Sequence, residues 1–519
     1  MIGAELVRDG VQAIAWSALG PALAPAVAAL VLLAVDAVVG PRRGGRWWRD
    51  GLALAGLVVG LLLVVPLRGG VAVTFCADAT ASSSGAAPTV GCGFVASPLT
   101  LALQVLILAT AAVCLLLAVG ERAESPGLPW PPWPRTEHHL LLLAATAGAC
   151  VLAGARDYAT LAVAVETASL PVVGLVALRR DGRGVEAGLK LLLTAVLSFS
   201  LLVLGIALVY ASTGSLHLGA PLDGTLPDVG LLHGVGVALA VAGIAFKLSL
   251  VPFHAWTPDT YAGAPVPIAA FLATVSKVAG LTAMVLVLAI GAPELADSWS
   301  VLAGALAAVT MTVGNLVALR QRSAVRLLAW STVAQAGWVV LPLAGAVSPH
   351  RVAGAATASI GYLLAYVAAT LTAFAVVVVV AQSHALGDRH GLDAYDGVLR
   401  SRPVLGCALG FALLCLAGLP PGVMGLVAKV VALAPVVAAH AWLLTSVAVL
   451  NVVLGVAVYL RWAVHLVAAR PETTPAPSPD GGSVVRHRLG VPHAAALLVG
   501  AASCVVLSVL PALVANPLG

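Results

Sequence analysis

The 519-residue sequence predicts an all-helical protein that crosses a membrane about fourteen times, and three observations carry that reading. Hydrophobic residues make up 61% of the chain and charged residues 9%, with a mean hydropathy of +1.04, values far outside those of a water-soluble domain. Runs of roughly 20 apolar residues recur from end to end, each long enough at about 1.5 Å per residue to cross a hydrocarbon core of about 30 Å. All but one of the 23 arginines crowd into the gaps between those runs, whereas the four lysines, Lys190, Lys247, Lys277 and Lys429, all lie inside them. Strands of a membrane barrel would read as segments of about ten residues of alternating polarity, and no alternation is sustained.

The amino terminus carries Glu5, Arg8 and Asp9 without a basic n-region or cleavage site, so no removable signal peptide is expected. The spans run approximately over 18–39, 51–68, 98–119, 138–154, 158–178, 188–211, 230–252, 267–291, 299–319, 325–345, 352–381, 404–434, 440–466 and 490–512. Gaps after odd-numbered spans hold eighteen arginines, among them Arg42, Arg43, Arg46, Arg179, Arg183, Arg320, Arg326 and Arg389. Only Arg8, Arg68, Arg156 and Arg351 fall on the other side, so both termini are expected to face outward. Trp47 and Trp48 beside arginines, and Trp130 and Trp133 in a Pro-rich gap, read as interfacial anchors. The segment 471–488, rich in Pro, Thr, Ser and Gly, reads as an inner-side linker.

Seven cysteines are scattered without CxxC or metal-ligand spacing, and no phosphate-binding loop is present. Cys76 and Cys92 share the outward gap between spans 2 and 3, where a disulfide is a possibility to test. Most of the twelve histidines are read as sitting at span ends or in gaps, with His233, His254 and His440 the nearest to membrane depth. Neither a metal nor a redox cofactor is expected in this chain, and nothing points to nucleic acid.

Buried charge is the informative feature. A lysine at the centre of a span costs about 2.5–3.5 kcal/mol on insertion scales, against about 0.3–0.6 kcal/mol gained per Leu, Ile, Phe or Val. Span 7 has eleven such residues around Lys247 and still inserts, which tolerates the lysine without explaining it. Arginine stays charged under nearly any condition, whereas a lysine in an apolar setting can lose and regain a proton near neutrality. Glu166, the one glutamate well inside a span, is the natural partner for such a lysine, and Lys190 lies close enough to a span end to reach the surface.

Two spans are predicted to be interrupted. Span 7 reads GIAFKLSLVPFH over 243–254, with Pro252 just beyond Lys247; span 12 reads AGLPPGVMGLVAK over 417–429, with Pro420 and Pro421 before Lys429. Breaks five spans apart and in opposite order fit two inverted five-helix repeats. The organisation expected is three N-terminal helices over 1–120, a first repeat over 137–291 (spans 4 to 8), a second over 299–467 (spans 9 to 13), the linker 471–488, and a last helix over 490–512.

The stretch FKLSLVPFHAWTPDTYAGAPVPIAAFLATVSKVAG over 246–280 closely resembles the N-type antiporter-like subunits of bacterial proton-pumping NADH:quinone oxidoreductase, respiratory complex I. The likeness runs from about span 4 to span 13, through GLKLLLTAVLSFSLLVLGIALVY around Lys190, NLVALRQRSAVRLLAWSTVAQAG from Asn315, and AGLPPGVMGLVAK. It implies a fourteen-helix antiporter-like fold in the membrane arm of the complex, in a bacterial cell membrane, moving protons while quinone is reduced elsewhere. By motif, Glu166 in VETASLP, Lys247, Lys277 and Lys429 carry the protons, His254 in PFHAWTPD relays them, and Lys190 tunes the Glu166 site or reaches the surface. NADH, FMN, iron-sulfur clusters and quinone are implied in partner subunits, with M-type and small K/J/A-type subunits and lipid as neighbours. One departure stands out: where many relatives have SSxSHxGY in span 10, this chain has STVAQAGW, so Gln335 replaces a histidine and cannot be protonated in the working range. A subunit of a multi-subunit Mrp-type Na+/H+ antiporter, of shared ancestry, is the alternative.

Overall fold

The computed structural model describes residues 14–43, 47–76, 91–123, 134–222, 228–382, 390–468 and 489–517. The expectations for Glu5, Arg8, Asp9, Arg46, Trp130, Trp133, Arg389 and the 471–488 linker lie outside them.

Thirteen helical stretches among the described residues are long and apolar enough to cross a membrane. The remaining expected span, number 12, is divided into Pro403–Ala417 and Val423–Ala438, each too short to cross alone. A multi-pass helical membrane protein is therefore what the chain forms. Span boundaries fall within about six residues of expectation, the widest differences being the starts of spans 6 and 9 at Gly182 and Pro293, and span 4 begins at Arg135. This earlier start corrects the reading of the histidines: His138 and His139 sit inside the helix, fully buried, with His139 held 2.7 Å from Asp50. His493, at the start of span 14, is buried too.

A helix that is apolar all round belongs in the interior, and spans 8 (Val266–Ile290), 10 (Ala324–Gly345) and 11 (Pro349–Gln382) are enclosed on nearly every side. Spans 1, 2, 6 and 13 keep most of their surface outward. Spans 6 and 7 meet backbone to backbone: a Cβ on Gly205 would fall 2.5 Å from the Ala240 nitrogen, so only glycine permits this approach. Arg461, inside span 13, donates to the Leu319 carbonyl at the end of span 9.

The gap between spans 2 and 3 forms an antiparallel hairpin, β1 (Ala72–Cys76) and β2 (Cys92–Ala96), which the sequence reading did not include. Cys76 and Cys92 are joined by a disulfide. The hairpin ties the start of span 1 to the loop between spans 4 and 5, since Gly93 accepts from the Arg156 backbone and Thr74 from that of Ala15.

Candidate functional site

The candidate residues stand where helices are interrupted, and each interruption has a local cause. In span 7 the helix Val229–Leu248 ends with Ser249 in the left-handed region, at φ 63°, and resumes as Trp256–Gly263. The Leu250 N–H bonds the Ala245 carbonyl and the Ser249 N–H that of Phe246, which is a Schellman ending. Pro252 follows and cannot extend the helix. Span 12 ends its first half in the same way: Gly418, φ 77°, bonds Cys415, Leu419 bonds Leu414, and Pro420-Pro421 follow. A Schellman ending leaves the last carbonyls without partners, and a carbonyl buried in the membrane needs one.

Lysines supply them. Lys277, fully buried on span 8, donates to the Lys247 carbonyl at 3.0 Å and to the Ser249 hydroxyl at 2.5 Å, with its ammonium 4.9 Å from the Trp256 ring centre. Lys429, on the second half of span 12, reaches back to the Ala417 carbonyl, and its ammonium lies 5.7 Å from the Trp338 ring centre. Both ammonium groups thus sit at the negative end of a helix against an aromatic face.

Two further breaks were not anticipated. Span 5 is divided into Tyr158–Thr167 and Leu170–Ala177, because Pro171 offers no N–H to the Thr167 carbonyl. Here Ser169 donates its hydroxyl to the Val165 carbonyl and accepts from the Lys247 ammonium at 2.6 Å. Span 8 is divided at Thr274, just before Lys277, and no proline or glycine marks the place.

Glu166 and Lys247 face each other across a cavity instead of touching. Among the described residues the two form no ion pair, and the nearer Ser169 hydroxyl takes the ammonium. Both line one cavity of about 40 Å³ with Ser198 and Ser276, room for about three waters at about 10–15 Å³ each. Glu166 is half-buried there.

Lys190 lies elsewhere. It is exposed, bound to Glu186 at 2.7 Å and Asp259 at 3.0 Å, in a separate cavity of about 460 Å³ also lined by Arg183, Arg326 and His390. That position favours its surface-reaching reading over tuning of Glu166. Asp259 also pairs with Arg326 at 2.5 Å, linking span 7 to span 10. His254 lies in the span 7 break, half-buried, its ring 5.3 Å from that of Trp330.

Between Lys277 and Lys429 lies a group that the sequence reading missed apart from Gln335. Tyr362 and Tyr366 on span 11 and Tyr459 on span 13 are buried and converge on span 10. Tyr362 donates to the Gln335 side-chain oxygen, and the Gln335 amide nitrogen lies 2.8 Å from the Tyr459 hydroxyl, which contacts Ser331 at 2.6 Å. Tyr366 donates to the Ala273 carbonyl at the span 8 break and to Thr332. The one sequence signal is a pair of tyrosines four residues apart in an otherwise apolar helix.

Chemically, the three buried lysines share a property. A lysine paired directly with a carboxylate is held in its charged form, whereas carbonyl and hydroxyl acceptors keep their hydrogen bond with either ammonium or neutral amine. Their seats therefore permit exchange of a proton.

A helical membrane fold with lysines on broken helices defines an antiporter-like class of membrane subunit. Residues 155–455 match the family described as "NADH:quinone oxidoreductase/Mrp antiporter, TM". The chain is 41% identical over 517 residues to NADH-quinone oxidoreductase subunit N 2 of Streptomyces griseus subsp. griseus, covering 96% of this chain and 92% of that protein. It is similar to a chain of respiratory complex I from Thermus thermophilus, solved with bound aureothin, at 30% identity and a TM-score of 0.73, covering 96% of this chain and 99% of that one. A chain of the Mrp complex from Dietzia sp. DQ12-45-1b shares the fold, with a TM-score of 0.76 at 21% identity over 97% of this chain and 96% of that one. The chain belongs to the NADH:quinone oxidoreductase/Mrp antiporter family of membrane subunits.

Proposed function

We propose that the chain is a proton-translocating membrane subunit of NADH:quinone oxidoreductase, working in a bacterial cell membrane with both termini outward. Redox centres and quinone reside in partner subunits, with M-type and small membrane-arm subunits as neighbours. The observation that carries this reading is the seating of Lys247, Lys277 and Lys429 on neutral acceptors at helix breaks, with Glu166 facing the cavity of the first. In this mechanism a charge shift in the neighbouring subunit moves Glu166 relative to Lys247, and the proton released from Lys247 passes to Lys277 and then to Lys429. His254 relays protons toward the span 7 break. The two five-helix repeats, 137–291 and 299–467, each contribute one span with a Schellman ending to this path, span 7 and span 12.

The test uses Lys247→Ala and Glu166→Ala in the assembled complex. Pumping should fall by about tenfold, the factor that corresponds to roughly 1.4 kcal/mol on a barrier, with assembly intact. Normal pumping stoichiometry in both variants would remove the assignment. The Mrp alternative would instead show sodium-dependent exchange in membranes lacking the redox subunits.

A further inference from the structure

Where the proposed path crosses from the first repeat to the second, the buried polar side chain facing Tyr362 and Tyr459 from span 10 is Gln335, which does not titrate in the working range. Its amide is nevertheless fully engaged: the oxygen accepts from Tyr362, and the nitrogen bonds the Tyr459 hydroxyl at 2.8 Å and the Leu416 carbonyl at 3.4 Å. Leu416 and Ala417 hold the two carbonyls freed at the end of the first half of span 12. Gln335 takes one and Lys429 takes the other. Tyr362, which holds the far side of Gln335, also stacks on Trp338 at 5.8 Å and 15° between planes. The Lys429 ammonium lies over the same Trp338 ring, 5.7 Å from its centre. The same amide and the same tyrosine therefore brace both parts of the Lys429 seat, its carbonyl and its aromatic face.

We infer that Gln335, clamped by Tyr362 and Tyr459, is a positioning residue: it fixes the broken end of span 12 so that Lys429 can receive a proton from the Lys277 side. It does so without titrating, and the tyrosine and serine hydroxyls around it carry the polar contact across span 10. This role differs from storing a proton, and it requires a side chain with a donor and an acceptor at residue 335 rather than a particular charge. The inference rests on the proton-translocating reading above.

The experiment measures protons moved per substrate turnover by the assembled complex in proteoliposomes, for Gln335→Leu, Gln335→His, Tyr362→Phe and Lys429→Ala. Gln335→Leu removes every bond of the clamp and should lower pumping about tenfold, as should Lys429→Ala. Tyr362→Phe, which deletes one hydroxyl and keeps the stacking, should lower it about threefold. Gln335→His retains a donor and an acceptor and should rescue pumping to within about twofold of the parent, which a side chain serving only to fill space would not require. If Gln335→Leu does not assemble, Tyr362→Phe decides, and parental pumping in it overturns the inference. Impaired Lys429→Ala beside normal Gln335→Leu overturns this inference and leaves the broader reading standing. Parental pumping in Lys429→Ala overturns that reading itself.

Discussion

The broken helices of spans 7 and 12 end in the same backbone motif, yet they differ in what occupies the left-handed position and in what surrounds it. Span 7 places Ser249 there, and its hydroxyl binds Lys277 and Thr257. Span 12 places Gly418 there, with the Lys429 side chain packed directly over it. The first site also has a carboxylate, Glu166, on the cavity of its lysine, whereas the second is bounded by an amide and tyrosine hydroxyls. A carboxylate gives the first site a charge that neighbouring events can move. The second site is neutral apart from its lysine and suits a fixed receiver. In the proposed mechanism one backbone motif would serve as a switch at span 7 and as a geometric seat at span 12.

Substitutions can break that comparison. The largest effect is expected at Gly425, whose added Cβ would lie 1.7 Å from the Cys415 carbonyl oxygen, closing off the fold-back of span 12. Gly425→Ala should cost about 3 kcal/mol or more and show as loss of assembled complex on native gels. Next is Gly418→Ser, which gives span 12 the residue of span 7. A left-handed non-glycine costs about 1–2 kcal/mol, lowering thermal stability. The new Cβ would also stand 3.1 Å from the Lys429 nitrogen and should slow pumping several-fold. The reciprocal Ser249→Gly relieves the backbone but removes a bond from Lys277, so stability should hold while pumping falls about threefold. The smallest effect belongs to Lys190→Ala: an exposed lysine shared between two carboxylates should change pumping by less than about twofold.

Much of this was legible in the sequence, for reasons that differ by element. Spans are visible because insertion demands a continuous apolar run, and the breaks of spans 7 and 12 because Pro252 and Pro420-Pro421 cannot continue a helix. The span 5 break has its proline too, but Pro171 acts on a carbonyl four residues earlier and was read only as part of a motif. Thr274 carries no such mark; its break appears only in the packed structure. The Ser169 hydroxyl that takes the Lys247 ammonium has no mark in the sequence, because a charge reading sees opposite charges and not the nearer hydroxyl. The grouping of Gln335 with Tyr362 and Tyr459 joins three spans, and no local pattern in any one of them announces it.

The central claim is that the buried lysines pass protons rather than merely hold charge. Lys277→Arg tests it most directly, because arginine keeps the positive charge and the donors at the Lys247 carbonyl but does not give up its proton. With the complex assembled, the account predicts that proton pumping by Lys277→Arg falls as far as in Lys277→Ala; pumping at the parental rate in Lys277→Arg would contradict it.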